Sequence, residues 1–362
     1  MATISLCMIV KNEEKVLARC LDSIRDLMDE IIIVDTGSTD RTKEIAAGYT
    51  DKVYDFVWKG DFSEARNFSF SKAVCEYIYT ADADEVLDEE NHDRFKALKE
   101  TLLPEVEIVQ MYYGNQLSHG TVYNFDKELR PKLFKRLRTF QWIEPVHETV
   151  RLLPVVFDSE IEITHLPKEN HAGRDLKIFE KMVKEGQVLS NRLLNFYARE
   201  LLISGDTEDL IRAEDYFTAV AEGEETGPEQ MKEALCVVVR ASRLRGDILK
   251  MFRYAMKDTA SNEGGVSEVC YELGEYYKTR KDYREAAIWY YNAAYETASI
   301  LNIHSSGELP LLSLAECYEE MGMKEQAEEY RNAAEEWLSL FTGSLDGRAD
   351  IPASSRFLSR KT

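Results

Sequence analysis

Positive charge is what this 362-residue sequence has least of: 45 lysines and arginines stand against 66 acidic residues, a formal net charge of −21. That balance argues against a nucleic-acid backbone or an anionic membrane surface as partner. No apolar run approaches the roughly 18 residues needed to span a bilayer, so a transmembrane segment is not expected. Met1 to Val10 is apolar but lacks a basic start and a small-residue cleavage site, and Lys11-Asn12-Glu13-Glu14 follows at once. The stretch reads as a first strand and not as a signal peptide. The six cysteines, Cys7, Cys20, Cys75, Cys236, Cys270 and Cys317, form no Cys-x-x-Cys pair. Scattered thiols of this kind fit a reduced, cytoplasmic protein better than a zinc site or a disulfide framework.

An apolar content of 44% with 31% charged residues describes a globular chain long enough for two domains. Ile4 to Val10 is a continuous apolar run, as in a strand buried on both faces. A helix is expected from Lys11-Asn12-Glu13-Glu14 to about Leu27, with Val16, Leu17, Cys20, Leu21 and Ile24 at helical spacing. Glu30 to Asp35 reads as a second buried strand. Thr36-Gly37-Ser38-Thr39-Asp40 then turns the chain into a helix over 41–47. A strand over 52–58, a helix over 62–74 and a fourth strand running through Asp82-Ala83-Asp84 complete an alternation that predicts a parallel sheet in an α/β domain. Ligands of such sheets bind outside the carboxyl ends of the strands, where Asn12, Asp35 and Asp82 are expected to converge.

Asp82-Ala83-Asp84 is the centre of the functional reading. Residues two apart in extended backbone point to one side. Two carboxylates held together repel unless a positive group sits between them, and Mg²⁺ or Mn²⁺ suits carboxylate oxygens and often bridges to phosphates. Taken alone, the pair reads more readily as a solvated acidic loop.

Four ordered motifs narrow the choice: Leu6-Cys7-Met8-Ile9-Val10-Lys11-Asn12-Glu13-Glu14, Val34-Asp35-Thr36-Gly37-Ser38-Thr39-Asp40, Asp61-Phe62-Ser63-Glu64-Ala65-Arg66-Asn67 and Ala81-Asp82-Ala83-Asp84-Glu85. From Met1 to about His165 this order resembles the family 2 glycosyltransferases of the GT-A fold. The resemblance implies a nucleotide-activated sugar donor, a divalent metal and inversion at the anomeric carbon. It implies that Val10, Asn12 and Glu13 border the nucleotide pocket, that Asp35 accepts from the base, and that the base is uracil. It implies that Arg66 reaches the nucleotide, that Asp82 with Ala83 faces the ribose or the metal's water, and that Asp84 ligates Mn²⁺ or Mg²⁺. Glu85 reads as a support or surface residue.

Downstream, a strand is expected over 106–113 and a polar excursion over 117–128. Leu129 to Arg136 is the basic cluster of this half, from which Arg130, then Lys132, are candidates to contact the donor. The alternative is a solvated strand edge carrying lysines. Gln141-Trp142-Ile143-Glu144-Pro145-Val146-His147-Glu148 resembles the Trp-x-x-x-Val-His-Glu element of bacterial family members. Glu148 is therefore the candidate base, with His147 the alternative. The family often has Gly where this chain has Glu144 or Pro145, so the turn is expected to differ. His165, ending a predicted strand over 161–166, is the candidate further metal ligand.

From about Asn170 the pattern becomes continuous helix. Leu273-Gly274-x-x-Tyr277 with Ala286, Tyr290 and Ala293 has tetratricopeptide spacing, and Leu314-Ala315-x-x-Tyr318 with Ala327 and Ala334 repeats it. The interval between these two copies is longer than one repeat and implies an insertion near 302–310. Tyr197-Ala198-x-x-Leu201 with Gly205 and Ala213, and the stretch from Ala234 to Met256, read as degenerate copies. The expected organisation is a GT-A domain over 1–168, a tetratricopeptide-like all-α domain over 169–342 and a loose tail over 343–362. This combination resembles the sublancin-type peptide S-glycosyltransferases. It implies a UDP-sugar donor, a peptide acceptor (Cys or Ser/Thr) or a glycan acceptor, and a repeat surface fit for the acceptor or for a homodimer. Two other readings stand beside it: transfer to a surface polysaccharide or lipid-linked glycan, and a repeat scaffold with a degenerate transferase domain.

Overall fold

The computed structural model describes residues 1–114, 128–136, 142–147, 149, 155–166, 174–224, 226–259 and 265–342. The chain divides into two units, Met1–His171 and Ala172–Thr362.

The first unit is built on strand β1 (Ile4–Val10). Its alternate residues serve two cores. Ile4, Leu6, Met8 and Val10 pack with Leu17, Cys20, Leu21 and Ile24 of helix α1 (Leu17–Ile24). Cys7 and Ile9 face Ile32, Val34, Ile78 and Phe68 on the other side. A strand covered on both faces has no polar side, which is why its sequence is apolar throughout. The remaining strands are β2 (Glu30–Asp35), β3 (Val53–Asp55), β4 (Tyr77–Thr80), β5 (Glu85–Val86), β6 (Ile108–Gly114), β7 (Glu128–Lys135) and β8 (Val156–His165). They form one sheet in the order β3-β2-β1-β4-β7-β6-β8-β5.

The expected parallel sheet holds for β3, β2, β1 and β4; beyond them β6 and β8 pair in parallel but the other pairings are antiparallel. β7 enters antiparallel to both β4 and β6, so the sheet is mixed. Leu129 to Lys135 is thus interior strand and not sheet edge. Three further expectations need correction. Helix α1 starts at Leu17 and not near Lys11, because Asn12 adopts a left-handed φ of 57° and the carbonyl of Glu13 closes the first turn on Val16 and Leu17. β3 ends at Asp55. β4 ends at Thr80, so Asp82 and Asp84 lie in the turn to β5, closed by the Glu85 amide on the Asp82 carbonyl at 3.2 Å.

Helices α2 (Thr42–Ala47), α3 (Phe62–Phe70) and α4 (Glu89–Thr101) complete the unit. Asp61 caps α3, its Oδ1 accepting from the Glu64 amide and the Ser63 hydroxyl.

The second unit runs through α5 (Arg174–Lys184), α6 (Asn191–Ile203), α7 (Thr207–Glu222), α8 (Pro228–Arg245), α9 (Ile248–Thr259), α10 (Ser267–Thr279), α11 (Tyr283–Tyr291), α12 (Glu308–Glu320) and α13 (Lys324–Thr342). The four tetratricopeptide-like stretches fall on α6 with α7, α8 with α9, α10 with α11 and α12 with α13; the last three are packed hairpins, whereas α7 packs chiefly on α8. Gly274 on α10 lets the Tyr290 ring of α11 come so close that a Cβ would lie 2.6 Å from it. The longer interval before α12 holds a π-turn over Asn292–Glu296 and a 3₁₀ turn over Ile303–Ser306. Buried Glu268 of α10 secures this insertion, one carboxylate oxygen accepting from the amides of Ile300, Leu301 and Asn302 at 2.7–3.0 Å. The expected excursion over 117–127 and tail over 343–362 lie outside the described residues.

Candidate active site

The carboxyl ends of β1, β2 and β4 gather most of the sequence-selected residues. Val10 ends β1 and pairs in register with Asp35, which ends β2. Asp35 is 2% exposed. Its Oδ1 accepts from the amides of Gly37 and Ser38 at 3.0 and 2.9 Å, which fixes the turn after β2. Its Oδ2 is buried and has no hydrogen-bond partner among the described residues. A buried carboxylate oxygen left this way costs free energy unless a ligand or water donates to it.

Asn12 and Glu13 stitch the β1 turn to the β2 turn. Asn12 donates its amide to Ser38 Oγ and accepts from the Thr39 amide at 2.8 Å; the Glu13 amide donates to Thr42 Oγ1. Asn12 therefore shapes the pocket wall through its side chain and its left-handed backbone.

Arg66 projects from α3 beneath the β4 end. It donates to Thr80 Oγ1 and Asp82 Oδ1, each at 3.0 Å, and its guanidinium stacks 4.8 Å from the centre of the Trp142 ring. Crowding by protein disfavours charge on Asp82, but Arg66, Lys132 and Arg130 outweigh it and hold the carboxyl well below the usual range. The Asp82 side chain is still 40% exposed, so its anion faces open space as well as Arg66.

Asp84 turns the other way. Its Oδ2 lies 3.0 Å from His165 Nε2, with both side chains mostly buried. The two come together because Glu85 pairs with His165 across β5 and β8, and the Leu166 amide binds the Asp84 carbonyl at 2.9 Å. β4 ends before either residue, so Asp82 and Asp84 do not share one strand face: Asp82 lies against the Arg66 guanidinium and Asp84 against the His165 ring.

Lys132 is turned inward. Its Nζ donates to Glu85 Oε1 at 2.5 Å, and both side chains are buried. The choice of Lys132 for donor contact is corrected: β7 is interior, and its ammonium neutralises a buried carboxylate. Burial pushes the Glu85 carboxyl up to about 7, with Asp82 and Asp84 adding to the rise and Lys132 opposing it. Arg130 is a quarter exposed, held by Glu128 Oε1 at 2.6 Å and stacked 4.0 Å over Tyr113. Ala83 is buried in the turn.

The 142–149 stretch lies against α3. Asn67 Nδ2 donates to the Trp142 carbonyl at 3.0 Å and its Oδ1 accepts from the Trp142 amide at 2.9 Å. The Phe62 amide donates to the Pro145 carbonyl at 3.0 Å. Glu144 and His147 have left-handed φ of 69° and 46°, a region that residues other than glycine seldom adopt. Glu148 lies outside the described residues. Thr80, Asn67 and Trp142, which position Arg66 or the loop, were given no role of their own from the sequence, although Asn67 and Trp142 lie in motifs quoted from it. The Asp61-to-Asn67 motif contained the signal, since adjacent Arg and Asn early in a helix point to neighbouring sites.

Residues 5–150 match the family described as Glycosyl transferase family 2, and a helical region follows them. Glycosyltransferase SunS of Bacillus phage SPbeta is 29% identical over 223 residues, covering 58% of this chain and 51% of that protein. A TPR repeat-containing protein of Synechococcus elongatus is 48% identical over 87 residues, 24% of this chain and 22% of that protein. An uncharacterized glycosyltransferase of Rickettsia typhi is 34% identical over 124 residues, 33% of this chain and 42% of that protein. The chain thus spans about half or less of the length of these relatives. Among solved structures, glucosyl-3-phosphoglycerate synthase from Mycobacterium tuberculosis, in complex with Mg²⁺ and UDP, gives a TM-score of 0.38 at 16% identity, covering 52% of this chain and 81% of that one.

Proposed function

We propose, on the premise that residues 5–150 form a family 2 glycosyl transferase domain, that this chain transfers a sugar from a UDP-sugar to an acceptor with inversion and with the aid of Mn²⁺ or Mg²⁺. The observation that carries the donor reading is the buried, unpartnered Oδ2 of Asp35. Uracil presents an imide N–H that such an oxygen can accept. Cytosine presents a lone pair at the same position and is repelled.

The residues fit the metal. Asp84 and His165 offer a carboxylate oxygen and an imidazole nitrogen 3.0 Å apart, a donor set suited to Mn²⁺ and acceptable to Mg²⁺. A metal held there would neutralise charge developing on the diphosphate leaving group. Asp82, kept ionised by Arg66, holds that arginine level with the Thr80 end of β4. Val10 and the Asn12–Thr39 stitch wall the base; Arg130 supplies positive charge from β7. Glu148, or His147 beside it, takes the acceptor's proton.

The acceptor is a peptide side chain, Cys or Ser/Thr, met partly by the helical hairpins, whose stacking builds an extended surface. Among the described residues no helix is long and apolar enough to cross a membrane. The experiment is calorimetric titration with UDP and with CDP in the presence of Mn²⁺. UDP should bind at least about tenfold more tightly, the value of one unmade buried hydrogen bond. Equal affinities would refute base recognition by Asp35.

A further inference from the structure

We propose that Asn67 is a positioning residue that couples the donor site to the 142–149 loop, so that donor binding orders the loop which carries the candidate base. The inference rests on the donor reading above. Two consecutive residues of α3 serve the two regions. Arg66 binds Thr80 and Asp82 at the end of β4, and Asn67 clasps the Trp142 backbone through both atoms of its amide. A planar amide that both donates to and accepts from one residue's main chain fixes that residue as a neighbouring strand would.

The two regions also touch directly. The Trp142 ring lies 4.8 Å from the Arg66 guanidinium and packs edge-on against Phe70 of the same helix. The first turn of α3 holds the loop again at Pro145. The loop is closed on itself by reciprocal hydrogen bonds between Ile143 and Thr149 at 2.9 and 3.1 Å. Inside that closure Glu144 and His147 sit at positive φ, a conformation each adopts only when the surroundings enforce it. α3, the element that also carries Arg66, grips this loop at Trp142 and at Pro145, on either side of Glu144. A diphosphate drawn to Arg66 therefore restrains α3 and, through Asn67, the loop. The loop in turn restrains Arg66, since coupling between two sites is reciprocal.

Hydrogen exchange of the full chain, with and without UDP and Mn²⁺, tests this. In the wild type, ligand should slow exchange both around Asp35, over 35–42, and over 142–149, the latter by about tenfold. In Asn67→Ala the slowing over 35–42 should remain, while that over 142–149 falls to within about twofold. Asn67→Gln, which keeps both the donor and the acceptor on a longer arm, should lie between the two and gives a milder variant should Asn67→Ala not fold. A clasp that merely stabilises would raise loop exchange in the free protein and leave the ligand-induced ratio intact; that result overturns the proposal. So does slowing at 35–42 with none at 142–149 in the wild type. No slowing anywhere would overturn the donor reading itself and the coupling with it.

Discussion

Asp84 Oδ2 and His165 Nε2 stand 3.0 Å apart although 81 residues separate them in the chain. The two-residue strand β5 makes the meeting: it pairs antiparallel with the end of β8, and the Leu166 amide binds the Asp84 carbonyl, so main-chain hydrogen bonds hold both residues in place. A pair assembled by backbone is preorganised for a third party.

The first prediction follows from that pair. Asp84→Asn and His165→Ala should each weaken Mn²⁺ binding in the presence of UDP by about 10- to 100-fold. The melting temperature should move little, because the β5–β8 pairing does not depend on either side chain. Electron paramagnetic resonance titration of free Mn²⁺ reads the affinity. Unchanged affinity in both variants would place the metal elsewhere.

Asp35→Asn keeps an oxygen for the Gly37 and Ser38 amides and puts an NH₂ group where the unpartnered oxygen is. A donor then faces the uracil donor. UDP affinity should fall by about 1.5–3 kcal/mol, and the preference over CDP should shrink or reverse. Calorimetric titration with both nucleotides separates this from a general loss of folding, which would lower both alike.

These two sites differ in how far the sequence disclosed them. β1 was legible because a strand covered on both faces must be apolar throughout, and Asp35 because it ends such a strand before a Gly37 turn. The Asp82-to-Glu85 stretch was read as extended because Tyr77 to Thr80 is; nothing local signals that the Glu85 amide closes a turn on Asp82. The partners of Asp82, Asp84 and Glu85 come from α3, β8 and β7, elements distant in sequence, and β7 enters the sheet against the direction that the βα alternation suggests. Lys132 looked like a surface cation because its partner Glu85 cannot be seen from its own strand. In the helical unit the Ala and Gly spacing was visible, whereas the π-turn and the Glu268 grip on the insertion depend on three amides meeting one buried carboxylate.

Lys132→Met should be among the most destabilising single changes in the first unit. It removes the ammonium and leaves Glu85 buried without its cation, a loss of about 3–5 kcal/mol for an ion pair broken on one side. Lys132→Met combined with Glu85→Gln should recover much of that. Chemical denaturation of Lys132→Met, Glu85→Gln and the double variant checks it; an additive double mutant would mean that the pair is not coupled.

The same carboxyl sets a pH dependence. Glu85 in the folded chain is pushed up to about 7, chiefly by burial, against an ordinary value near 4.3 for glutamate. The folded state therefore binds this proton more tightly than the unfolded state. Its contribution to stability is fully present below the ordinary value and is lost as pH rises through about 7. Glu85→Gln should flatten the decline in stability between about pH 5 and 7 relative to wild type, read from melting temperatures across that range. Parallel profiles for the two proteins would show that Glu85 does not titrate there.

The last prediction concerns the contact on which the α10/α11 hairpin turns. In most helix interiors Gly→Ala stabilises by up to about 1 kcal/mol. At Gly274 the new methyl would meet Cδ1 and Cε1 of Tyr290 at 2.6 Å. The ring has little room to yield: its hydroxyl donates to Glu275 Oε1 at 2.5 Å, and it packs against Tyr271 at 5.5 Å between centroids. Overpacking of this kind costs about 1–3 kcal/mol. Gly274→Ala should therefore lower the melting temperature despite its better helix propensity. Placing the same change on Tyr290→Leu should remove the penalty, because the ring that the methyl meets is gone. A stabilised single variant would mean that α10 and α11 separate freely, and the close approach inferred from the Leu273-Gly274-x-x-Tyr277 spacing would not be what holds this hairpin together.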